Sequence, residues 1–224
     1  SVRKNQLVLD FIVNKGPKVR INNINFGGNL IDETKLKKSL KEIHEKSRLT
    51  LFPVNDKPAI VKTSPYTFDQ YLKERGYLTF SKTKKILNPY ARIGFSSSKY
   101  DIKKYDESKD NLLNYYNSLG FRDAVIEKDT IYHNAVGHLN IDMQIKEGRK
   151  YFFGNISWRG NTKYPDSVLS SILNIKKGDI YNREIFFNKL GKTPTAEGGD
   201  ISGIYQDDGY LFFSINPIET AVYN

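Results

Sequence analysis

The 224-residue chain contains no cysteine. Disulfide scaffolds, thiolate zinc sites, iron–sulfur ligation and cysteine nucleophiles are excluded together, while an oxidising compartment is permitted. Histidine occurs three times, and His44, His133 and His138 fall in different expected elements, so no metal set forms from spacing. No apolar run approaches the roughly 20 residues of a membrane-spanning helix. No basic segment followed by an apolar stretch opens the chain either. Gly191-Lys192-Thr193 has Phe186 rather than glycine five residues before it, which breaks the phosphate-loop pattern. Asp207-Asp208-Gly209 reads as a helix end, not as paired acid–base carboxylates, and no Gly-x-Ser-x-Gly elbow occurs. The expectation is a protein that is not an enzyme and needs no cofactor or metal.

Aromatic residues are plentiful, with 15 tyrosines and 13 phenylalanines, and 38% of the chain is hydrophobic, so a packed core is affordable. The net charge of +10 is unevenly placed. Residues 150–224 carry eight basic and eight acidic side chains, whereas residues 47–104 carry twelve basic and four acidic. The basic excess, with Tyr71, Tyr77 and Phe80 interspersed, raises nucleic-acid binding as a rival reading. The neutral second half argues against it, because affinity for phosphate needs a continuous basic surface. No nucleic-acid partner is expected.

The chain repeats itself at an offset of 132. Residues 7–29 (LVLDFIVNKGPKVRINNINFGGN) match residues 139–161 (LNIDMQIKEGRKYFFGNISWRGN) at eight of 23 positions, among them Asp10/Asp142, Gly16/Gly148, Gly28/Gly160 and Asn29/Asn161. The apolar alternation slips by one residue at the same place in each copy, which predicts a bulge or bend at Asn22-Asn23 and at Gly154-Asn155. A helical pattern follows in each copy. In the first, Asp32 is the expected N-cap, with Leu36, Leu40 and Ile43 on one face; in the second, Pro165 and Asp166 open a helix with Val168, Leu169, Ile172 and Leu173 inward. A second helix over 106–119, and another over 200–208, ends in Tyr-x-x-x-Gly-aromatic: Tyr116/Gly120/Phe121 and Tyr205/Gly209/Tyr210. Strands are expected at Asp123–Ile131, His138–Ile145 and Leu211–Ile215.

The unit is therefore β-α-α-β-β, and the fold class α+β: tandem units, each a small mixed three-stranded sheet with two helices on one face. The expected domains are residues 1–16, the last strand of a preceding unit; 17–148, a complete unit with a basic insertion at about 47–104; and 149–224, a unit lacking its last strand. On this register the parent protein extends in both directions. Within the insertion, Phe68, Tyr71 and Leu72 before Gly76-Tyr77 predict one short helix, and four prolines limit regular structure.

Val19–Asn29, its repeat Tyr151–Asn161, the two Tyr-x-x-x-Gly-aromatic turns and the element order resemble POTRA domains. More narrowly, Lys99–Asp129 and Tyr151–Pro217 resemble the POTRA modules of outer-membrane protein assembly factors in their Bacteroidetes-like form. Roughly residues 47–98 depart from the family's short connection. The resemblance implies a scaffold at the periplasmic face of the outer membrane, anchored by a barrel absent from this chain. Its implied partners are unfolded outer-membrane proteins and the accessory lipoproteins of the assembly machine. A related transporter or two-partner secretion protein is the nearest alternative. A sheet edge offers a row of unpaired backbone groups to which an extended client adds as a strand. The resemblance maps that edge to Ala124, Val125, Ile126 and Glu127, continuing to Asp129, and to Leu211, Phe212, Phe213, Ser214 and Ile215. Each of Phe212, Phe213 and Ile215 taken singly reads better as core. Lys73, Arg75, Lys82, Lys84, Lys85 and Arg92 form a candidate patch for an anionic partner, such as a membrane surface.

Overall fold

A computed structural model describes residues 9–16, 18–52, 57–61, 68–73, 80–94, 99–192 and 199–222, with the side chains of 68, 71, 80–82 and 85 left aside. Its described elements are β1 (Ile21–Gly27), α1 (Glu33–Ser39), β2 (Arg48–Leu49), α2 (Phe68–Lys73), α3 (Phe80–Leu87), β3 (Ala91–Arg92), α4 (Ile102–Ser118), β4 (Val125–His133), β5 (Leu139–Lys146), α5 (Asp166–Leu173), α6 (Arg183–Leu190) and α7 (Ile201–Asp207). None of these helices is long and apolar enough to cross a membrane.

The first unit is a three-stranded mixed sheet in the order β1-β5-β4, with β1 parallel and β4 antiparallel to the central β5. Alternation along the strands sends Ile21, Ile24, Phe26, Ile141, Met143 and Ile145 to one face, where Leu36 of α1, Leu40 at its C-cap and Leu112 and Tyr116 of α4 cover them. Asp32 caps α1 by accepting from Thr34 N at 2.9 Å, and Asp101 caps α4 by accepting from Lys103 N and Lys104 N. The bulge expected in the first copy is present: the β1–β5 register shifts between Ile21 and Asn23, so Asn22 is the extra residue. The turn at residues 134–137 joins β4 to β5, with Asn134 N donating to His138 O.

A second, separate core gathers Leu169, Leu173, Leu190, Ile201 and Tyr205. Both Tyr-x-x-x-Gly-aromatic turns form as the spacing predicts. Phe121 N donates to Tyr116 O at 3.0 Å and Tyr210 N to Tyr205 O at 2.9 Å, across glycines at φ +95° and +87°. Each aromatic then meets its tyrosine edge-on at a centroid distance of 6.0 Å.

Four sequence expectations need correction. Leu211–Ile215 is not a strand, and the second copy's bulge site has no ladder to interrupt. In the first unit both outer strands pair only with the central β5. The described residues of the second unit hold no counterpart of that strand, so its two outer segments lack a shared partner. Residues 151–153 pair locally with 178–181 instead, through Phe153 N to Asp179 O and Tyr181 N to Tyr151 O. Val168 is exposed, because Leu169, Ile172 and Leu173 face the core from α5. An unforeseen helix, α6, runs from the Asn182 cap to Gly191, whose φ of +76° makes it a helix stop and not a phosphate loop. Finally, the insertion holds α3 and a β2–β3 ladder besides the helix expected near residue 68; its Gly76 lies outside the described residues.

Candidate functional site

The two outer strands of the first sheet have opposite fates. On the β1 side, the first half of the strand is engaged by the chain itself. Lys46 N donates to Ile21 O at 2.8 Å, Ile24 N donates to Glu45 Oε1 at 2.8 Å, the Arg92 guanidinium donates to Asn22 O, and Arg20 bridges to Lys99. Glu45 is held by Arg92 at 2.9 Å and Lys37 at 3.0 Å. Burial alone would raise its pKa, but the two cations outweigh burial and keep the carboxyl below its ordinary range. Burial lowers the Arg92 pKa, with Glu45 opposing.

Along β4 the situation reverses. Val125–His133 pairs with β5 on one side, and among the described residues no other backbone meets its outer side. Its side chains are mostly exposed, and Asp129 ties the strand to α4 by accepting from the Tyr105 hydroxyl at 2.7 Å and from Lys109 at 3.3 Å. The Tyr105 hydrogen bond, then Lys109, lowers the Asp129 pKa against the opposing effect of burial; burial and Asp129 raise that of Tyr105.

The ladder also relocates the candidate residues. Ala124 precedes the strand and is buried in the core, and Ile126 packs against that core. Glu127 is the extra residue of a bulge between Ile126 and Lys128, and pairs with Lys146 at 3.6 Å. A bulge bends the strand and interrupts regular pairing. The regular outer edge is thus Lys128–His133 together with Val125, largely beyond the four residues the sequence singled out. In the second unit, Phe213 and Ile215 pack on the core, Phe213 stacking on Tyr205 at 3.9 Å, while Leu211, Phe212 and Ser214 are exposed. Those five residues form no edge strand.

One member of the candidate cationic patch, Arg92, is withdrawn from solvent. Arg92 turns inward to Glu45, because an unpaired buried carboxylate beside β1 would be far costlier than a paired one. Lys73 and Lys84 are exposed on α2 and α3. Arg75 and the side chains of Lys82 and Lys85 lie outside the described residues.

Two features were missed in the sequence. Asp142, central on β5 and fully buried, points to the sheet face opposite the helices and accepts from Ala59 N at 2.5 Å, Ile60 N at 3.0 Å, Asn25 Nδ2 at 2.7 Å and the Tyr132 hydroxyl at 3.2 Å. It straps residues 57–61 across that face; its identity with Asp10 in the repeat was the available signal. The second feature is the junction. Tyr151 N donates to Gly120 O at 2.8 Å, the Tyr151 hydroxyl donates to Asp123 at 2.5 Å, and Glu219 bridges Arg122 at 2.9 Å and Tyr181 at 3.1 Å. The first unit's helix stop is therefore also the seat of the second unit.

The chain is 29% identical over 140 residues to a deoxyribodipyrimidine photo-lyase of Buchnera aphidicola, covering 57% of this chain and 29% of that protein. It is 25% identical over 125 residues to the outer membrane protein assembly factor BamA of Neorickettsia risticii, covering 54% of this chain and 16% of the relative. It thus spans less than a third of the length of either curated relative. The solved structure of Haemophilus influenzae BamA POTRA3-5 aligns over 84% of this chain and 91% of that one, with 14% identity and a TM-score of 0.34. The POTRA family model, surface antigen variable number repeat, matches residues 19–148 and again 151–222, and the chain belongs to the POTRA family.

Proposed function

We propose that this chain is a periplasmic scaffold segment of an outer-membrane β-barrel assembly protein, which receives unfolded outer-membrane proteins by strand addition and holds accessory lipoproteins near the barrel. The observation that carries the reading is the asymmetry of the first sheet. Its β1 side is occupied by Glu45, Lys46 and Arg92, and its β4 side is open over Val125–His133. Main-chain hydrogen bonds are indifferent to side-chain identity, which suits a receiver of many sequences. Exposed Val125 and Ile131 give an arriving strand some apolar contact on the same edge. The likeness to an assembly factor supports the choice of client.

The test is peptide capture. A photoreactive strand-forming peptide taken from an outer-membrane β-barrel crosslinks at residues 128–133, and N-methylation of alternate backbone amides abolishes the crosslink. Crosslinks confined to β1 or to the helices, or capture unaffected by N-methylation, overturn the reading.

A further inference from the structure

A cleft of about 930 Å³ opens where the two units meet. Helix α4 is its floor, and α1 of the first unit and α6 of the second each pack on α4 to form its walls. The charge of the lining is one-sided: Lys35, Lys38, Lys41 and Arg183 stand against a single acid, Glu184. The three lysines and Arg183 are exposed and have no carboxylate partner among the described residues. The neighbouring acids are committed elsewhere, Glu33 and Glu45 to Lys37 and Glu42 to Lys104. Like charges gathered around a concavity focus a positive potential within it, so an anion is the complement. The Arg183 guanidinium lies over the Phe187 ring at 5.4 Å, which steadies it while leaving its N–H donors for a carboxylate.

The floor adds a second kind of recognition. Asn111 and Asn114 stand one turn apart on α4, and neither side-chain amide makes a hydrogen bond among the described residues. Asn117, by contrast, spends its amide on Leu113 O. A free carboxamide offers a donor and an acceptor, the same two groups that a peptide backbone presents. A phosphate only accepts, and would leave the amide oxygens unmatched. The aromatics of the lining, Tyr115 and Phe187, are both partly buried, so no apolar side chain projects from the cleft to enter a bilayer. Residues spaced like Lys35 and Lys38 on a helix are roughly 5–6 Å apart at Cβ. Alternate side chains of an extended strand are roughly 7 Å apart, a difference that flexible lysine side chains absorb.

We propose that this cleft binds an extended acidic peptide segment of a partner protein, its carboxylates on Lys35, Lys38 and Arg183 and its backbone on Asn111 and Asn114. The proposal does not rest on strand addition at β4, and the two fail separately. The test is fluorescence anisotropy of the full chain with a fluorescein-labelled peptide alternating Asp and Ser. Binding is expected, and weakens with salt. Lys35→Glu/Lys38→Glu and, from the other unit, Arg183→Glu each weaken it by at least about tenfold. Lys73→Glu/Lys84→Glu, the same charge change at exposed lysines of α2 and α3, alters it by less than about twofold. Asn111→Ala/Asn114→Ala weakens binding of the peptide and leaves that of inorganic polyphosphate unchanged. The circular dichroism spectrum and β4 peptide capture are the same in every variant. Absence of peptide binding, equal weakening by Lys73→Glu/Lys84→Glu, or a preference for polyphosphate or phosphatidylglycerol vesicles over the peptide each overturns the proposal.

Discussion

The Glu45 carboxylate and the Arg92 guanidinium stand 2.9 Å apart beside β1, joining the loop after α1 to the far end of the insertion. Removing one partner of a buried pair leaves the other uncompensated, at a cost of about 3 kcal/mol. Arg92→Ala should lower the unfolding free energy of the first unit by that amount, read as a fall in its urea midpoint at an unchanged m-value. It should also leave Asn22 O and Lys46 O without their guanidinium donor, which amide exchange along β1 would report.

The same pair sets an acid limb. The folded-state pKa of Glu45 lies below its unfolded value of about 4.5, so the carboxylate contributes stability fully above that value. The contribution fades as pH falls through the lower, folded pKa. Denaturation scans between neutral and strongly acidic pH should show this loss in the native chain. Glu45→Gln should be less stable at neutral pH and should lose less on acidification.

These contacts mark what the sequence leaves hidden. Helix caps and both Tyr-x-x-x-Gly-aromatic turns rest on interactions within a few residues, and the bulge at Asn22 leaves a slip in the local apolar alternation, so residue order alone shows them. Glu45 with Arg92 and Asp142 with Ala59 join residues 47 and 83 positions apart in the chain, so nothing periodic announces them. Arg92 reads as one more surface cation until its partner is known. The absent strand at Leu211–Ile215 has the converse cause: its alternation is strand-like, but a ladder needs a partner strand, and pattern does not provide one.

Asp142 offers a spectroscopic handle on the strap. Burial, and then Asp142, push the Tyr132 pKa up to about 12 from an ordinary 10.0. Asp142→Asn removes the charge, and the Tyr132 ring carbon bearing the hydroxyl should titrate closer to the ordinary value by NMR. Asp142→Ala also leaves Ala59 N and Ile60 N without an acceptor, so amide exchange at residues 57–61 should quicken while α4 stays protected.

Two glycines in the same turn differ in what surrounds them. Both Gly120 and Gly209 have positive φ, so alanine strains either by about 1 kcal/mol. A Cβ on Gly209 meets open space, whereas on Gly120 it comes within 2.9 Å of Ile180 Cγ2 and 3.0 Å of Tyr151 O, at the seat of the second unit. Gly120→Ala should therefore destabilise clearly more than Gly209→Ala by thermal shift, and should raise proteolysis around residues 149–151.

Adjacent phenylalanines in the second unit should separate packing from exposure. Phe213 stacks face to face on Tyr205, with 9° between ring planes, and packs on the second core. Deleting a packed phenyl ring costs about 3 kcal/mol, so Phe213→Ala should melt the second unit at markedly lower temperature. Phe212 is 99% exposed, and Phe212→Ala should change stability by less than about 0.5 kcal/mol. Equal destabilisation by the two would mean that the Phe212 ring is packed as well. The contrast therefore tests directly which of the two adjacent rings closes the second core.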